Sequence, residues 1–393
     1  MPRPDLLVRL AAAQTQRVHD GLLRRLCVVE SVDGPRIVVA GRALIDFASN
    51  DYLGLAQHPA LHEALARAAR RWGVGAGAAH LLGGHRDEHA ALEEKLAQWT
   101  GRERALLFST GYMANLGVIG ALLCAGNVCV QDKLNHASLI DAAHLSGADL
   151  LRYRHADAES AGRQLRARPD FAAVLATDAV FSMDGDVAPL RQLAPLCRRE
   201  GATLMVDDAH GLGVLGPDGA GSLAQAGLAQ EDAPVLMATL GKALGVAGAF
   251  VAGSAALIDG LVQFARSYVY TTAMPPALAA AASAAVDIAR DDSERRANLH
   301  RNVALFRSGA SARGIALPAS STPIQPVPVS DSAAAVAAAQ RLEDAGFYVP
   351  AIRPPSVPAN GARLRVSLSA AHAEADIERL LDALAAALRT KSH

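Results

Sequence analysis

From about residue 100 the chain alternates apolar runs of strand length with stretches whose apolar positions recur at helical spacing. RALLFST (104–110), NVCVQD (127–132), DLLRYR (149–154), FAAVLATDAVF (171–181), TLMVDD (203–208), VLMATL (235–240) and AFVAG (249–253) predict strands. Most of these runs are apolar throughout instead of alternating with polar residues. That pattern suits strands buried on both faces of a mainly parallel sheet with helices covering them, an α/β architecture. A helix from about Met113 to Leu123 follows the first run.

Beyond Pro275 and Pro276 a helical stretch leads through DDSERRANLHRNVALFRSGASARG, and then the rhythm changes. STPIQPVPVSD is extended and proline-punctuated, SAAAVAAAQRLEDAG predicts a helix ended by Gly346, RLRVSLS a strand and AEADIERLLDALAAALR a closing helix. The expected organisation is an N-terminal helical and extended segment (1–45), a large α/β domain (46–289) and a smaller α+β domain (290–393). No repeat of fixed period is present.

The chain has 393 residues, enough for a large domain and a smaller one, and a formal net charge of -1. Near-neutrality argues against nucleic acid or an anionic membrane as the main partner and favours small molecules. Cys27, Cys124, Cys129 and Cys197 are too sparse for a disulfide framework, which points to a reducing cytoplasm. The first 25 residues alternate apolar residues with arginines and read as an amphipathic helix of the mature protein, not a secretory signal. The alanine-rich run Ala277 to Ala285 is too short to span a bilayer.

Candidate chemistry concentrates in LMVDDAHGLGVLG (204–216) and TLGKALG (239–245). A strand ending in Asp207 and Asp208, with His210 close behind, delivers carboxylate and imidazole to the carboxyl edge of a parallel sheet, where ligands bind. Lys242, in a turn between Gly241 and small apolar residues, is a lysine that can be sheltered enough to form a Schiff base.

Other readings compete. GLGVLG (211–216) satisfies G-x-G-x-x-G, but Pro217, Asp218 and Gly219 follow where a dinucleotide site needs a helix, and TLGKALG lacks the flanking residues of a P-loop. Asp207, Asp208 and His210 could ligate a metal, although a structural or non-metal role is favoured. His85 and His89, near Glu93, read as a solvated helix face.

The ordered set of blocks narrows the choice. ASNDYLGLAQHP (48–59), FSTGYMANLGV (108–118), DKLNHASLIDA (132–142), VFSMDGDVAPL (180–190), VDDAHGLGVLG, TLGKALG, YTTAMPP (270–276) and AIRPPSVPANGARLRVSLSAAH (351–372) occur in sequence. Together, over nearly the whole chain, they resemble the α-oxoamine synthases, a group of fold-type-I pyridoxal-phosphate enzymes. The closing block resembles the branch that joins L-alanine to a pimeloyl thioester, on coenzyme A or a carrier protein, in biotin synthesis. A relative that uses glycine and acetyl-CoA is the alternative within the group, and a non-catalytic nucleotide-binding α/β protein is the alternative outside it. Ala79, His80 and Gly84 depart from the family pattern, with Gly84 standing where Thr or Tyr is common. Ser356 stands where many members carry Thr.

The resemblance implies a homodimer that binds pyridoxal 5′-phosphate. Lys242 is then the covalent anchor and the base at Cα, Asp207 the partner of the ring nitrogen, His136 the residue stacked on the ring, and His210 a donor to the ring's phenolic oxygen. Ser182 lines the cofactor pocket. Gly111, Tyr112 and Thr239 hold the phosphate, helped by Thr271 and Thr272 from the other subunit. Arg24, Asn50, Arg353 and Ser356 fall on substrate-side positions, together with His136.

Overall fold

The computed structural model describes residues 3, 5–24, 26–358 and 360–389. The chain opens on a helix, Leu6–His19, whose N-cap Asp5 accepts hydrogen bonds from the backbone N–H groups of Leu7 and Val8. This is the helix the sequence predicts, and none of its residues is buried in the single chain. An antiparallel meander follows, formed by strands β1 (Val29–Asp33), β2 (Arg36–Val39) and β3 (Arg42–Asp46).

Residues 50–300 form one compact unit around a seven-stranded sheet. Its strands are β4 (Arg104–Phe108), β5 (Val128–Asp132), β6 (Asp149–Tyr153), β7 (Ala173–Asp178), β8 (Thr203–Asp207), β9 (Val235–Thr239) and β10 (Ala249–Gly253), each at a predicted run. The order is β4-β10-β9-β8-β7-β5-β6, parallel except where β10 runs antiparallel to both of its neighbours. Successive residues on a strand face opposite sides. Cys129, Val174, Ala176, Met205, Val235 and Met237 accordingly enter one apolar core, while Val128, Val130, Leu175, Leu204, Val206 and Leu236 enter the other. Two cores, one on each side, explain why these runs are apolar throughout.

The other unit combines residues 1–49 with 301–393. It contains β11 (Ile324–Pro328), the helix Ser332–Asp344, β12 (Phe347–Tyr348), β13 (Ala351–Ile352), β14 (Arg363–Ser367) and the helix Glu374–Arg389. β11, β14 and β13 make an antiparallel sheet, and β12 extends the N-terminal meander by pairing parallel to β3, with Phe347 opposite Ile45. This pairing joins the N-terminal segment to the C-terminal residues in one α+β unit, so the division differs from the three-part expectation. The two-residue β12 is too short to leave a periodic signal, and its partner lies some 300 residues away. Among the described residues, no helix is long and apolar enough to cross a membrane. All four cysteines are free.

Candidate active site

The carboxyl ends of the parallel strands surround a cavity of about 200 Å³. Gly111, Tyr112, His136, Ser182, Asp207, His210, Thr239 and Lys242 line it, eight of the residues singled out from the sequence. Asp207 ends β8 and Thr239 ends β9, while His136 follows β5 and caps the helix Ala137–Ser146. Gly111 and Tyr112 open the helix Gly111–Leu122, whose N-cap Thr110 accepts from the N–H of Met113.

Lys242 Nζ lies 2.9 Å from His210 Nε2, and His210 Nδ1 lies 2.7 Å from the hydroxyl of Tyr52, a fully buried residue. Across the cavity, Asp207 accepts from Asn115 Nδ2 at 2.9 Å and from the N–H of Ala209 at 3.0 Å. Asn115 Nδ2 also reaches Ser138 Oγ, which donates to His136 Nδ1 at 2.8 Å. The N–H of Ser138 points at the same ring nitrogen, which places the His136 ring proton on Nε2. Burial lowers the His136 pKa, assisted by Lys242 and opposed by Asp207. Burial, reinforced by the charge of Asp207, raises Asp178 well above the usual carboxylate range, while the N–H of His136 donates to it at 2.9 Å.

Asp208 has a different task. It turns away from the cavity and accepts from both the N–H and the hydroxyl of Ser222, at 2.6 and 2.5 Å. The trio Asp207, Asp208 and His210 therefore does not converge on one point. After Gly216 the GLGVLG segment runs into a short turn, Pro217–Gly219, instead of the helix a dinucleotide site requires.

Asn115, Ser138 and Asp178 were not singled out from the sequence, yet all three line the cavity. The signal was present for two of them. Asn115 is the polar residue inside the apolar helix run MANLGVIGALL, and Asp178 closes an apolar strand as Asp207 does. The hydroxyl of Thr239 donates to the Gly248 carbonyl at 2.9 Å.

Other candidates lie elsewhere. Asn50 Oδ1 accepts from the Tyr52 hydroxyl at 3.1 Å. Thr271 and Thr272 do not line this cavity of the single chain; Thr272 forms a β-bridge with Ala79. Arg24, Arg353 and Ser356 belong to the other unit, where Arg24 is exposed and a guanidinium N–H of Arg353 donates to the Gly21 carbonyl.

The region of His80, His85 and His89 overturns the solvated-face reading. His89 is fully buried, and the three side chains offer nitrogens within 4.8 Å of one another. They do not present three free lone pairs. His89 Nδ1 accepts from the N–H of Arg86 at 2.9 Å, so Nε2 carries the proton and donates to the Met274 carbonyl at 2.8 Å. At Gly84 a Cβ would lie 2.2 Å from the Ala78 carbonyl oxygen, so this backbone admits no side chain at the position where the family pattern led one to expect Thr or Tyr.

A fold with helices around a mainly parallel sheet and a lysine at its carboxyl edge defines a class that the comparisons make specific. The family model for aminotransferase class I and II matches residues 42–384, and the chain belongs to that family. Within it, the similarity narrows to 8-amino-7-oxononanoate synthase. The enzyme of that name from Hahella chejuensis is 54% identical over 375 residues, 95% of each chain, and that from Halorhodospira halophila is 55% identical over 392 residues, 99% of this chain and 97% of the other. Among solved structures, serine palmitoyltransferase from Sphingomonas wittichii superposes with a TM-score of 0.92 at 31% identity over 98% of both chains. An 8-amino-7-oxononanoate synthase from Francisella tularensis gives 0.77 at 30% identity, over 87% of this chain and 97% of that one.

The cofactor is pyridoxal 5′-phosphate, and the donor set fits it. The cavity offers a lysine amine, a buried carboxylate braced by two N–H donors, an imidazole, and the open N-terminus of a helix where an anion is favoured.

Proposed function

We propose that this chain condenses L-alanine with a pimeloyl thioester, on coenzyme A or a carrier protein, to give 8-amino-7-oxononanoate, CO2 and the free thiol in biotin synthesis. The observation that carries the reading is the placement of Lys242 against His210 with Asp207 in the same cavity, in a chain more than half identical to enzymes of that name.

When bound, pyridoxal phosphate accepts the electron pair left as Cα loses a proton, and again as CO2 departs. Lys242 is the covalent anchor and, once displaced by the incoming amine, takes the Cα proton and later returns one. Asp207, oriented by Asn115 and the N–H of Ala209, holds the proton on the ring nitrogen. His136 covers the ring face, with its own ring fixed by Ser138. His210 serves the phenolic oxygen.

The N–H groups of Gly111 and Tyr112 receive the phosphate, with Ser182 and Thr239 alongside. Thr271 and Thr272 of the partner subunit complete that site in a homodimer. Arg353 supplies a guanidinium fork for the alanine carboxylate, and Arg24, Asn50 and Ser356 serve the substrate side.

The test is a set of parallel assays. Alanine with pimeloyl-CoA or with the pimeloyl carrier protein is expected to yield a product with the mass of 8-amino-7-oxononanoate. Product from glycine and acetyl-CoA alone would overturn the reading.

A further inference from the structure

His155 stands just beyond β6, between two carboxylates that belong to different turns. Its Nδ1 lies 3.0 Å from Asp132 Oδ1 and its Nε2 lies 2.8 Å from Asp186 Oδ2. Carboxylate oxygens accept and do not donate, so two such contacts require a proton on both ring nitrogens. A neutral ring would turn a lone pair toward an anion.

The two carboxylates sit at structural junctions. Asp132 is the last residue of β5 and is fully buried; it also accepts from the N–H groups of Leu134 and Ala156, each at 2.8 Å, which shapes the turn that ends at His136. Asp186 closes the turn that carries Ser182: its carbonyl accepts from the N–H of Phe181, and the N–H of Gly185 donates back to the Phe181 carbonyl. The Phe181 ring stands edge-on to His155 at 4.4 Å between centroids. Arg152 donates to the carbonyls of Asp132 and Lys133, which adds a second positive charge beside the group.

We propose that His155 is a positioning residue: a fixed imidazolium that fastens the turn leading to His136 to the turn carrying Ser182 and so holds two walls of the cofactor cavity in register. The proposal rests on the assignment of His136 and Ser182 to the cofactor pocket. Burial by itself would lower the His155 pKa, but hydrogen bonds and charge from Asp132 and Asp186 outweigh it and raise the pKa to about 10.

The protonation is read directly by nitrogen NMR on protein labelled with 15N-histidine, with the His155 signals identified by the through-space contact of its ring protons with the Phe181 ring. Both ring nitrogens are expected to carry protons at pH 8, well above the ordinary histidine range. The signature of a neutral ring at that pH would overturn the proposal even if the variants fail to fold. For the positioning role, His155→Gln is expected to weaken pyridoxal-phosphate affinity roughly tenfold or more and to change the visible circular dichroism of the bound cofactor. His155→Lys should recover part of both by restoring a cation. A folded His155→Gln protein with wild-type cofactor affinity and dichroism would overturn the role. Neither readout involves alanine or an acyl donor, so failure of the proposed reaction and failure of this inference are separable.

Discussion

Lys242 and His210 face each other, Nζ to Nε2, at 2.9 Å, and the far nitrogen of His210 is held by Tyr52 at 2.7 Å. The amine therefore has a defined resting place within the cavity. Lys242→Ala is expected to lose turnover by several orders of magnitude, because among the described residues no other amine lines the cavity to make the covalent bond. Borohydride reduction followed by peptide mass analysis should find a pyridoxyl adduct on Lys242 in the wild type and none in the variant. Turnover at the wild-type rate would remove Lys242 from its assigned role.

Asn115 donates to Asp207 and Ser138 from the same nitrogen, tying the carboxylate to the hydroxyl that fixes His136. Asn115→Leu keeps the volume but withdraws both donations. A charge-assisted hydrogen bond contributes about 1.5–3 kcal/mol, so cofactor affinity should fall by roughly tenfold or more. Asn115→Asp should be worse, since a second carboxylate against Asp207 disfavours the anion that the ring nitrogen needs. Titration of the apoprotein with pyridoxal phosphate, followed by absorbance, gives the three affinities. Equal values would show that Asp207 needs no support from Asn115.

These two sites also mark what could be read from the sequence. Runs such as TLMVDD and VLMATL announced themselves as strands because both faces are buried, and motif order carried eight residues to one cavity. Asn115 shows its importance only when the fold brings the middle of one helix against the end of β8, 92 residues further along. His89 misled for the same reason: its Nε2 partner is the Met274 carbonyl, 185 residues away, which no local amphipathic pattern reports. The pairing of β3 with β12 likewise depends on contacts across most of the chain length.

His372 gives a pH prediction. It is buried and stacked on Phe47, accepts from the N–H of Ser369 at Nδ1 and faces the Asp46 carbonyl at Nε2. Burial favours the neutral ring and lowers its pKa to about 4, against 6.5 for the free side chain. Between those values the unfolded chain binds a proton that the folded chain refuses. Stability from this residue is thus complete above pH 6.5 and falls as pH drops toward 4, by on the order of 3 kcal/mol. Melting temperatures of wild type and His372→Gln over this range should show a shallower acid slope in the variant. Identical slopes would mean that His372 titrates normally in the fold.

Gly211 is required by space, not by backbone conformation. A Cβ there would lie 2.1 Å from Asp208 Oδ1 and 2.2 Å from Ser222 Oγ, inside the hydrogen-bonded pair that anchors the turn after β8. Both partners are buried, so neither can swing aside into solvent. Gly211→Ala should therefore destabilise the protein by roughly 1–3 kcal/mol through overpacking, and more if the Asp208 carboxylate loses its donors. Because His210 is the adjacent residue, the visible spectrum of the bound cofactor should shift as well. Asp208→Ala removes the atom that the new methyl group strikes. The double variant Gly211→Ala/Asp208→Ala should consequently lose less stability than the sum of the single changes, since the two sites share one clash. Denaturant unfolding of the four proteins measures this coupling, and strict additivity, or a stable Gly211→Ala protein, would show that the turn yields where the structure leaves no room.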